Sequence, residues 1–303
     1  MTLHKDSICG IEISKNLITV AQYSPAENAI GSIVVKPFDE TGAQGDDTIL
    51  KSELKSLIAD VELKKQKIVL SLPSEFAVIK KLSLDISEKD VAEAIHWELS
   101  QHIIGTLEDY SFDYEAIKKT DRSESSEYLA VAYRSSSIQR LVSLLKANKL
   151  SPFIVDLDCF ALINVFEANY PENRSSPSII ILGTDKKSKI ILTQNGSLVD
   201  YEVVDHDQGI TSGDDYAMLL GEYLSRLCAR LAQGIPEMYC SGSLFLQNDY
   251  VDSLARKFGK AELLNPFKKV ECHAVREKKD VTEFAAQLAV AVGLALRGQI
   301  EDF

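Results

Sequence analysis

The stretch ICGIEISKNLITVAQY, residues 8–23, begins the pattern that decides the fold. It reads as two strands, Ile8 to Ile13 and Leu17 to Tyr23, joined by the short polar turn Ser14-Lys15-Asn16. A second turn leads to a third strand over Ile30 to Val35. Short apolar runs bounded by polar turn residues favour strands over helices. The chain is therefore predicted to open with a three-strand meander.

The second half of the sequence repeats this order. Three apolar runs, separated by polar turns, cover Ser178 to Leu182, Lys189 to Thr193 and Leu198 to Val204. Helical spacing of apolar residues follows this second meander, and an apolar helix is predicted over Val281 to Leu296 near the end. Two halves that begin in the same way indicate two similar lobes.

A smaller α+β unit separates the two meanders. It is predicted as strand, helix, strand, strand, helix, strand. The first helix carries apolar residues at helical spacing, and the strand after it alternates aromatic and polar residues. The residues concerned are Val91, Ile95, Leu99 and Ile103 on the helix and Tyr110, Phe112 and Tyr114 on the strand.

This order of elements predicts an α/β protein with the two-lobed actin-like (ribonuclease H-like) fold and a small α+β subdomain inserted in the first lobe. The first lobe is assigned to residues 1–75, completed by 156–177 and by the C-terminal helix 281–303. The inserted subdomain is assigned to 76–155 and the second lobe to 178–280.

The composition narrows the classes of function. The chain has 303 residues with 33 basic and 45 acidic side chains, so its net charge is -12. That sign disfavours nucleic acid or an anionic membrane surface as the main partner, and suits a basic or apolar contact segment. The longest apolar run, Phe284 to Leu296, is shorter than the roughly 20 residues that span a bilayer.

The cysteines and the first residues both point to the cytoplasm. The five cysteines are scattered, and no CxxC pair occurs. Most lie in apolar runs, where a reduced thiol behaves as a small hydrophobic side chain. The opening MTLHKDSICG contains no apolar stretch of signal-peptide length. We therefore expect a cytoplasmic protein that reaches a membrane only through a partner.

Four stretches resemble the PilM family of type IV pilus assembly proteins, which is related to FtsA. The most specific is EAIHWE at 93–98, which continues through Gln101 to FDY at 112–114. The others are VDLDCFAL at 155–162, NPF at 265–267 and AVAVGLALRG at 289–298. They follow the order of the family motifs along nearly the whole chain.

The resemblance implies an adaptor on the cytoplasmic side of the inner membrane, within the pilus assembly complex. Its expected partner is the N-terminal cytoplasmic peptide of a PilN-like bitopic membrane protein, held in a groove beside the inserted subdomain, and other pilus-assembly components are expected too. A GspL-like role in type II secretion is the alternative. The hypothesised groove residues are Trp97, Gln101, Tyr110, Phe112 and Tyr114, for which packing in the core of the subdomain is the competing interpretation.

The resemblance also identifies two phosphate turns and an adenosine motif, and all three depart from the family pattern. The first turn has Glu12 for aspartate and Ser14 for glycine, followed by Lys15 and Asn16. Actin-like ATPases need close approach of backbone N–H groups to phosphate and a carboxylate that orients Mg²⁺. A serine side chain in this turn hinders that approach.

In the second turn, Ile181 stands where an acidic residue is expected, before Gly183 and Thr184. The adenosine motif keeps one glycine, Gly242, followed by Ser243. We therefore expect a pseudo-ATPase with degenerate nucleotide motifs, no catalytic residues and at most weak binding of ATP and Mg²⁺. An active ATPase that gates the complex is the alternative, and a sugar or acetate kinase of this fold would need intact phosphate turns.

Other polar residues have two interpretations each. Asp156 and Asp158 either contact metal-bound water in the cleft or cap the next helix. The histidines lack metal-ligand spacing, so no metal site is predicted. His206, flanked by Asp205 and Asp207, is interpreted either as an acid-base group or as part of an exposed loop. The basic cluster Lys186 to Lys189 is interpreted as a solvated turn.

Overall fold

The computed structural model of the chain describes residues 7–14, 17–38, 47–60, 63, 66–84, 90–118, 126–206, 210–229, 231, 234–246, 248–274 and 278–298. They fall into two compact units, Pro73–Ala147 and the remainder of the chain on either side of it. Within the described residues, no helix is long and apolar enough to cross a membrane.

The described residues form the following helices and strands in chain order: β1 (Ile8–Ser14), β2 (Leu17–Ser24), β3 (Ala29–Pro37), α1 (Thr48–Asp60), β4 (Lys67–Leu72), β5 (Val78–Leu84), α2 (Val91–Ser100), β6 (Tyr110–Lys118), β7 (Ser126–Arg134), α3 (Ser135–Ala147), β8 (Pro152–Leu157), α4 (Asp158–Asn169), β9 (Ser178–Gly183), β10 (Lys187–Gln194), β11 (Ser197–Asp205), α5 (Gly213–Leu227), β12 (Met238–Ser241), α6 (Asn248–Phe258), β13 (Ala261–Leu263), β14 (Glu271–Cys272) and α7 (Lys278–Arg297).

The first sheet of the larger unit has the strand order β14-β3-β2-β1-β4-β8. Strands β1, β2 and β3 are antiparallel neighbours, so the predicted opening meander is present. The register of β1 and β2 includes the pair Ser14 and Leu17. β4 then pairs parallel with β1, and β8 pairs parallel with β4.

The second sheet repeats this plan in the order β11-β10-β9-β12-β13. β9, β10 and β11 form an antiparallel meander, and β12 pairs parallel with β9 as β4 does with β1. The hairpin between β10 and β11 turns at Asn195 and Gly196, whose φ angles are 54° and 75°. Positive φ at both central residues is the geometry that an Asn-Gly turn favours.

Helices α4 and α7 lie against both sheets and against each other. Their backbones approach most closely at Gly293, where a Cβ would lie 1.9 Å from the carbonyl oxygen of Ala161. α7 also meets β1 at Gly10, where a Cβ would lie 2.1 Å from the carbonyl oxygen of Ala291. The glycine of the closing motif therefore permits a helix crossing that no side chain would fit.

The smaller unit is a three-stranded sheet in the order β5-β7-β6 with α2 on one face. The apolar face of α2 is buried as predicted from its spacing. It packs on the residues of β7 that alternate toward the helix. This core consists of Val91, Ile95, Leu99, Tyr128, Ala130 and Ala132.

The structure moves one boundary of the inserted subdomain. Residues through 155 were assigned to it, but β8 pairs with β4 in the first sheet, and the compact unit ends at Ala147. A short apolar strand carries no signal for which sheet it joins. The amphipathic helix α6 and the short strands β13 and β14 were not predicted from the sequence.

Candidate functional site

A buried ion pair lies where the two sheets of the larger unit meet α4. Lys189, on β10, donates from Nζ to the carboxylate of Asp158, the first residue of α4. The two residues are only 5% and 6% exposed. A charged lysine that is this deeply buried requires a carboxylate partner. Lys189 was expected in a solvated turn, and this expectation was wrong.

Glu12, near the end of β1, belongs to the same cluster. The pKa of its carboxyl is raised to about 8, first by burial and second by the negative charge of Asp158, while the positive charge of Lys189 opposes both. The pKa of Glu12 therefore depends on both members of the buried ion pair. The glutamate is held largely as the neutral acid at neutral pH.

The interpretation that the side chain of Asp158 caps α4 was wrong. The N-cap of α4 is Leu157, and no side-chain hydrogen bond caps it. Asp156 lies on β8, where its Oδ1 accepts a hydrogen bond from the Leu157 N–H at 2.8 Å and its Oδ2 lies 3.6 Å from Nε of Arg297. Each aspartate has a cationic neighbour within the protein.

The second phosphate turn is closed by its own hydrogen bonds. The Thr184 N–H donates to the Lys187 carbonyl at 2.8 Å, and the Thr184 hydroxyl donates to the same oxygen at 3.0 Å. The Lys187 N–H in turn donates to Thr184 Oγ1 at 3.2 Å. Ile181, in the place of the expected acid, is completely buried. These groups are engaged in the turn instead of pointing at an anion.

The retained glycines have packing roles. A Cβ on Gly242 would lie 2.3 Å from the carbonyl oxygen of Gly183, and its own φ is +100°. A Cβ on Gly183 would lie 2.7 Å from the ring of Phe245. The Gly242 N–H donates to the Ala286 carbonyl at 3.1 Å, which connects this turn to α7. Ser243 begins a short 3₁₀ helix and is exposed.

Polar groups of Asp158 and of the second turn are engaged by other groups of the chain. A Mg²⁺-nucleotide site needs carboxylates free to orient the metal and its water, and backbone N–H groups free to approach phosphate. Here Asp158 is paired with Lys189, and the N–H groups of Thr184 and Lys187 donate within the second turn. The described residues contain no group of three or more His, Cys, Asp or Glu that could hold a metal.

Only part of the first phosphate turn lies within the described residues. Ser14 is exposed, and its hydroxyl donates to the Leu17 carbonyl at 3.2 Å. Lys15 and Asn16 lie outside the described residues.

The interpretation of His206 as part of an exposed loop was wrong, because this residue is buried. The hydroxyl oxygen of Ser188 lies 3.2 Å from Nε2 of His206 and 2.7 Å from the hydroxyl oxygen of Tyr216. Burial lowers the pKa of His206.

The hypothesised peptide groove lies on the smaller unit, where an aromatic stripe runs along edge strand β6. Tyr110, Phe112 and Tyr114 alternate onto the face of the sheet that carries α2. Phe112 and Tyr114 are each 38% exposed, and Tyr110 is intermediate. The interpretation that this stripe packs in the core was wrong for Phe112 and Tyr114, since α2 covers β7 and β5 and leaves β6 largely uncovered, whereas Tyr110 packs against the core.

Trp97 and Gln101 lie on and just after α2. The competing interpretation that Trp97 packs in the core was wrong, because its side chain is 63% exposed. Gln101, the C-cap of α2, is exposed and donates to Ser100 Oγ at 3.1 Å. The helix meets the aromatic stripe through His96, whose ring centroid lies 5.1 Å from that of Phe112. His96 is itself exposed, and no sequence motif singled it out as part of this surface.

The turn after α2 presents another apolar side chain. Ile104 is 81% exposed. Its carbonyl accepts hydrogen bonds from the Tyr110 hydroxyl and from Arg134, both at 3.3 Å. Arg134 also lies over the Tyr110 ring, 5.3 Å from its centroid. These contacts fix the turn beside one end of β6.

Comparison with known proteins agrees with this architecture. The family described as type IV pilus assembly protein PilM matches residues 10–197. No curated protein sequence matches. A solved PilM-PilN type IV pilus biogenesis complex has a chain with TM-score 0.82 and 18% identity, covering 98% of this chain and 99% of that one.

Two further structures share the fold at lower similarity. The cytoplasmic domain of EpsL, an inner membrane component of the type II secretion system of Vibrio cholerae, has TM-score 0.57 and 10% identity, with 98% and 96% of the chains covered. A Bacteroides thetaiotaomicron protein with an actin-like ATPase fold and unknown function has TM-score 0.57 and 14% identity, with 96% of each chain covered. The chain therefore has the predicted actin-like fold.

Proposed function

The chain belongs to the PilM family of type IV pilus assembly proteins, and we propose that its part in pilus assembly is that of a peptide-binding adaptor. In this proposal it holds the N-terminal cytoplasmic peptide of a PilN-like inner-membrane protein. It would then lie at the cytoplasmic side of the inner membrane through that partner. The proposal includes a nucleotide cleft that no longer works as an ATPase.

The aromatic face of the smaller unit carries the peptide-binding proposal. Trp97, Ile104, Phe112 and Tyr114 expose apolar surface that a folded domain ordinarily buries. β6 is the edge strand of its sheet, so its outer backbone groups suit an extended peptide, with pockets between aromatic side chains for specificity. The solved PilM-PilN complex, which shares the fold over 98% of this chain, supports such a partner.

The charge near this face suggests the composition of the peptide. Asp113 and Glu115 project from β6 on the opposite face to the aromatic stripe, and Glu108 and Asp109 precede the strand. All four are exposed. A peptide with both apolar and basic residues would complement this edge, and its affinity would fall as salt is added.

The only tryptophan of the chain makes this proposal directly testable. A synthetic peptide from the N-terminus of the PilN-like protein is titrated into the purified protein, and both Trp97 emission and heat are recorded. The exposed indole should shift its emission to shorter wavelength as the peptide covers it. Phe112→Ala should weaken binding by about tenfold or more, as expected for an aromatic anchor.

Met218→Ala is the matched control, because Met218 is 67% exposed but lies on α5 in the larger unit. It should bind the peptide with wild-type affinity. Heat of binding without any change in Trp97 emission, together with wild-type affinity in Phe112→Ala, would exclude this face. No binding at all would contradict the adaptor proposal.

A further inference from the structure

We propose that Asp113 selects which peptides can pair with β6. Its carboxylate accepts a hydrogen bond from the outward N–H of Tyr114, and a lysine or arginine of the peptide must engage that carboxylate before the N–H is released. This inference rests on the proposed peptide-binding function and deepens it, since it names a residue that sets specificity.

The backbone of β6 directs alternate N–H groups away from its partner strand. β6 pairs with β7 at the end of the sheet order, and the register is regular from Tyr110 to Ala116. The Tyr110 N–H donates to the carbonyl of Leu107, which precedes the strand, so this N–H points away from β7. Because the two sides of an antiparallel strand alternate, the N–H groups of Phe112 and Tyr114 point the same way.

Two of these three outward donors are already engaged. The Tyr110 N–H donates to Leu107, and the Tyr114 N–H donates to Oδ1 of Asp113 at 2.9 Å. Within the part of the chain that the structure describes, no side chain accepts from the Phe112 N–H between them. An added antiparallel strand can therefore pair with Phe112, but the Asp113 carboxylate must move before that strand can pair with Tyr114.

The same contact occurs on strands that end the other two sheets. On β8, Asp156 Oδ1 accepts from the Leu157 N–H at 2.8 Å, and on β11, Asp200 Oδ1 accepts from the Tyr201 N–H at 2.8 Å. Charged side chains on an edge strand oppose its pairing with another chain. The recurrence indicates that these aspartates protect the sheet edges.

Asp113 differs from Asp156 in its surroundings. The Asp156 side chain is only 12% exposed, and its Oδ2 lies 3.6 Å from Nε of Arg297. Asp113 is exposed, and it forms no ion pair with a described lysine or arginine. A basic group of a peptide can therefore supply a counter-charge that the described part of the chain does not give to Asp113.

The register also predicts where the basic residue of the peptide lies. In an antiparallel strand added to β6, the residue opposite Asp113 belongs to a pair without backbone hydrogen bonds, in which the side chains are closest. That residue shares the face of Asp113 and Glu115, opposite to the aromatic stripe. A peptide that alternates apolar and basic residues would thus complement both faces of the strand.

The experiment measures the affinity of the PilN-like N-terminal peptide and of versions in which each lysine or arginine is replaced in turn by norleucine. It uses wild type, Asp113→Ala and the control Asp200→Ala, which removes the same kind of contact from β11 in the larger unit. For wild type, replacement of one basic residue should weaken binding by about tenfold. Asp200→Ala should behave like wild type.

Asp113→Ala should bind both peptides alike, because its Tyr114 N–H is open to either. It should also bind the norleucine peptide more tightly than wild type does, which loss of a charge alone would not produce. Asp113→Asn separates the two roles of the side chain. Its amide oxygen can still accept from the Tyr114 N–H but carries no charge, so this variant should bind both peptides as weakly as wild type binds the norleucine peptide.

Two results would overturn the inference while the peptide-binding proposal stands. One is an equal loss of affinity in wild type and Asp113→Ala when each basic residue is replaced. The other is an Asp113→Ala variant that binds the norleucine peptide no more tightly than wild type does, because the carboxylate would then not restrict the Tyr114 N–H. A wild-type protein that binds none of the peptides would contradict the peptide-binding proposal itself, and this inference with it.

Discussion

Lys189 shows how one residue changes the chemistry of a cleft. A lysine on a buried strand costs free energy unless a carboxylate meets it, and here Asp158 does so across the boundary between β10 and α4. The pair satisfies both charges with groups of the chain itself. It also engages the carboxylate of Asp158 within the protein.

Replacement of Asp158 by asparagine should therefore be costly. Lys189 would remain buried without its main counter-charge, and we expect a loss of about 3 kcal/mol in the free energy of unfolding. Asp205→Asn is the control, because it breaks the ion pair between Lys187 and Asp205, whose side chains are 38% and 62% exposed. Exposed pairs contribute about 0–1 kcal/mol. Equal losses in chemical denaturation would contradict this interpretation of the buried pair.

Glu12 should make stability depend on pH. Its carboxyl has a pKa of about 8 in the folded protein, raised by burial from an ordinary value of 4.5. Between these values the folded state binds more protons than the unfolded state. The stabilising contribution of Glu12 is therefore complete below its unfolded pKa and is lost as pH rises through 8.

Glu12→Gln removes this titration, since the amide stays neutral. Relative to wild type, the variant should gain at least about 1 kcal/mol in unfolding free energy between about pH 5 and about pH 9. Denaturation curves across this range provide the measurement. Glu115→Gln, which changes an exposed carboxylate of β6, should follow the wild-type pH profile. A Glu12→Gln profile parallel to wild type would show that Glu12 titrates normally.

Sequence reasoning identified Glu12 and Asp158 as site residues, but not the lysine between them. The run Lys186 to Lys189 contains nothing that distinguishes its last member from its solvated neighbours. The strand pairing distinguishes Lys189 from Lys186: Lys189 of β10 pairs with Leu182 of β9, whereas Lys186 lies in the turn before β10. The exposure of Trp97 was missed for a similar reason: helical spacing shows which residues share a face but not how far the sheet beneath extends.

At the scale of elements, the crossing of α4 and α7 connects the two sheets. Both helices contact both sheets, so their separation fixes how the sheets are placed within the larger unit. Gly293 sets that separation, because its missing side chain lets the backbone of α7 approach the carbonyl of Ala161. The glycine of the closing sequence motif thus has a packing explanation.

Gly293→Ala should destabilise the protein, since its Cβ would lie 1.9 Å from the Ala161 carbonyl oxygen and the helices must separate. We expect a cost of about 2 kcal/mol or more. Gly31→Ala on β3 is the matched control, because no atom lies within 4 Å of the position that its Cβ would take, and the methyl group should be tolerated. The melting temperatures of the two variants are compared with each other. Equal melting temperatures would contradict a close approach of α7 to α4 at Gly293.

The Asn-Pro-Phe motif at 265–267 also has a structural explanation, which lies in its hydrogen bonds. Asn265 Oδ1 accepts from the Phe267 N–H at 2.9 Å, and the Asn265 N–H donates to the Tyr170 hydroxyl at 3.0 Å. Buried Asn169, at the end of α4, accepts from the N–H groups of Lys269 and Val270. These bonds hold the segment by which the chain passes from β13 in the second sheet to β14 in the first.

The meanders and the inserted unit could be predicted because strand runs, polar turns and helical spacing are local signals. α6, β13 and β14 were not predicted, since two- and three-residue strands are set by neighbouring strands and not by their own sequence. The assignment of β8 to the inserted subdomain was wrong for the same reason. Which sheet a short strand joins depends on residues distant in sequence, here those of β4.

At the scale of the whole molecule, the chain is a member of a pilus assembly family with the actin-like fold. Its larger unit keeps the doubled sheet plan, while the cleft residues are paired with one another. Its smaller unit displays aromatic surface along an edge strand. A molecule with these two features suits an adaptor whose partner binding is independent of nucleotide.

The most direct test is to measure the affinity for the PilN-like N-terminal peptide by calorimetry with and without saturating Mg²⁺-ATP. We predict binding with the same dissociation constant in both conditions, and no heat from Mg²⁺-ATP alone. A peptide affinity that changes about tenfold or more with Mg²⁺-ATP would require coupling of about 1.4 kcal/mol between the cleft and the peptide site. That result would contradict the adaptor account and favour a nucleotide-gated ATPase.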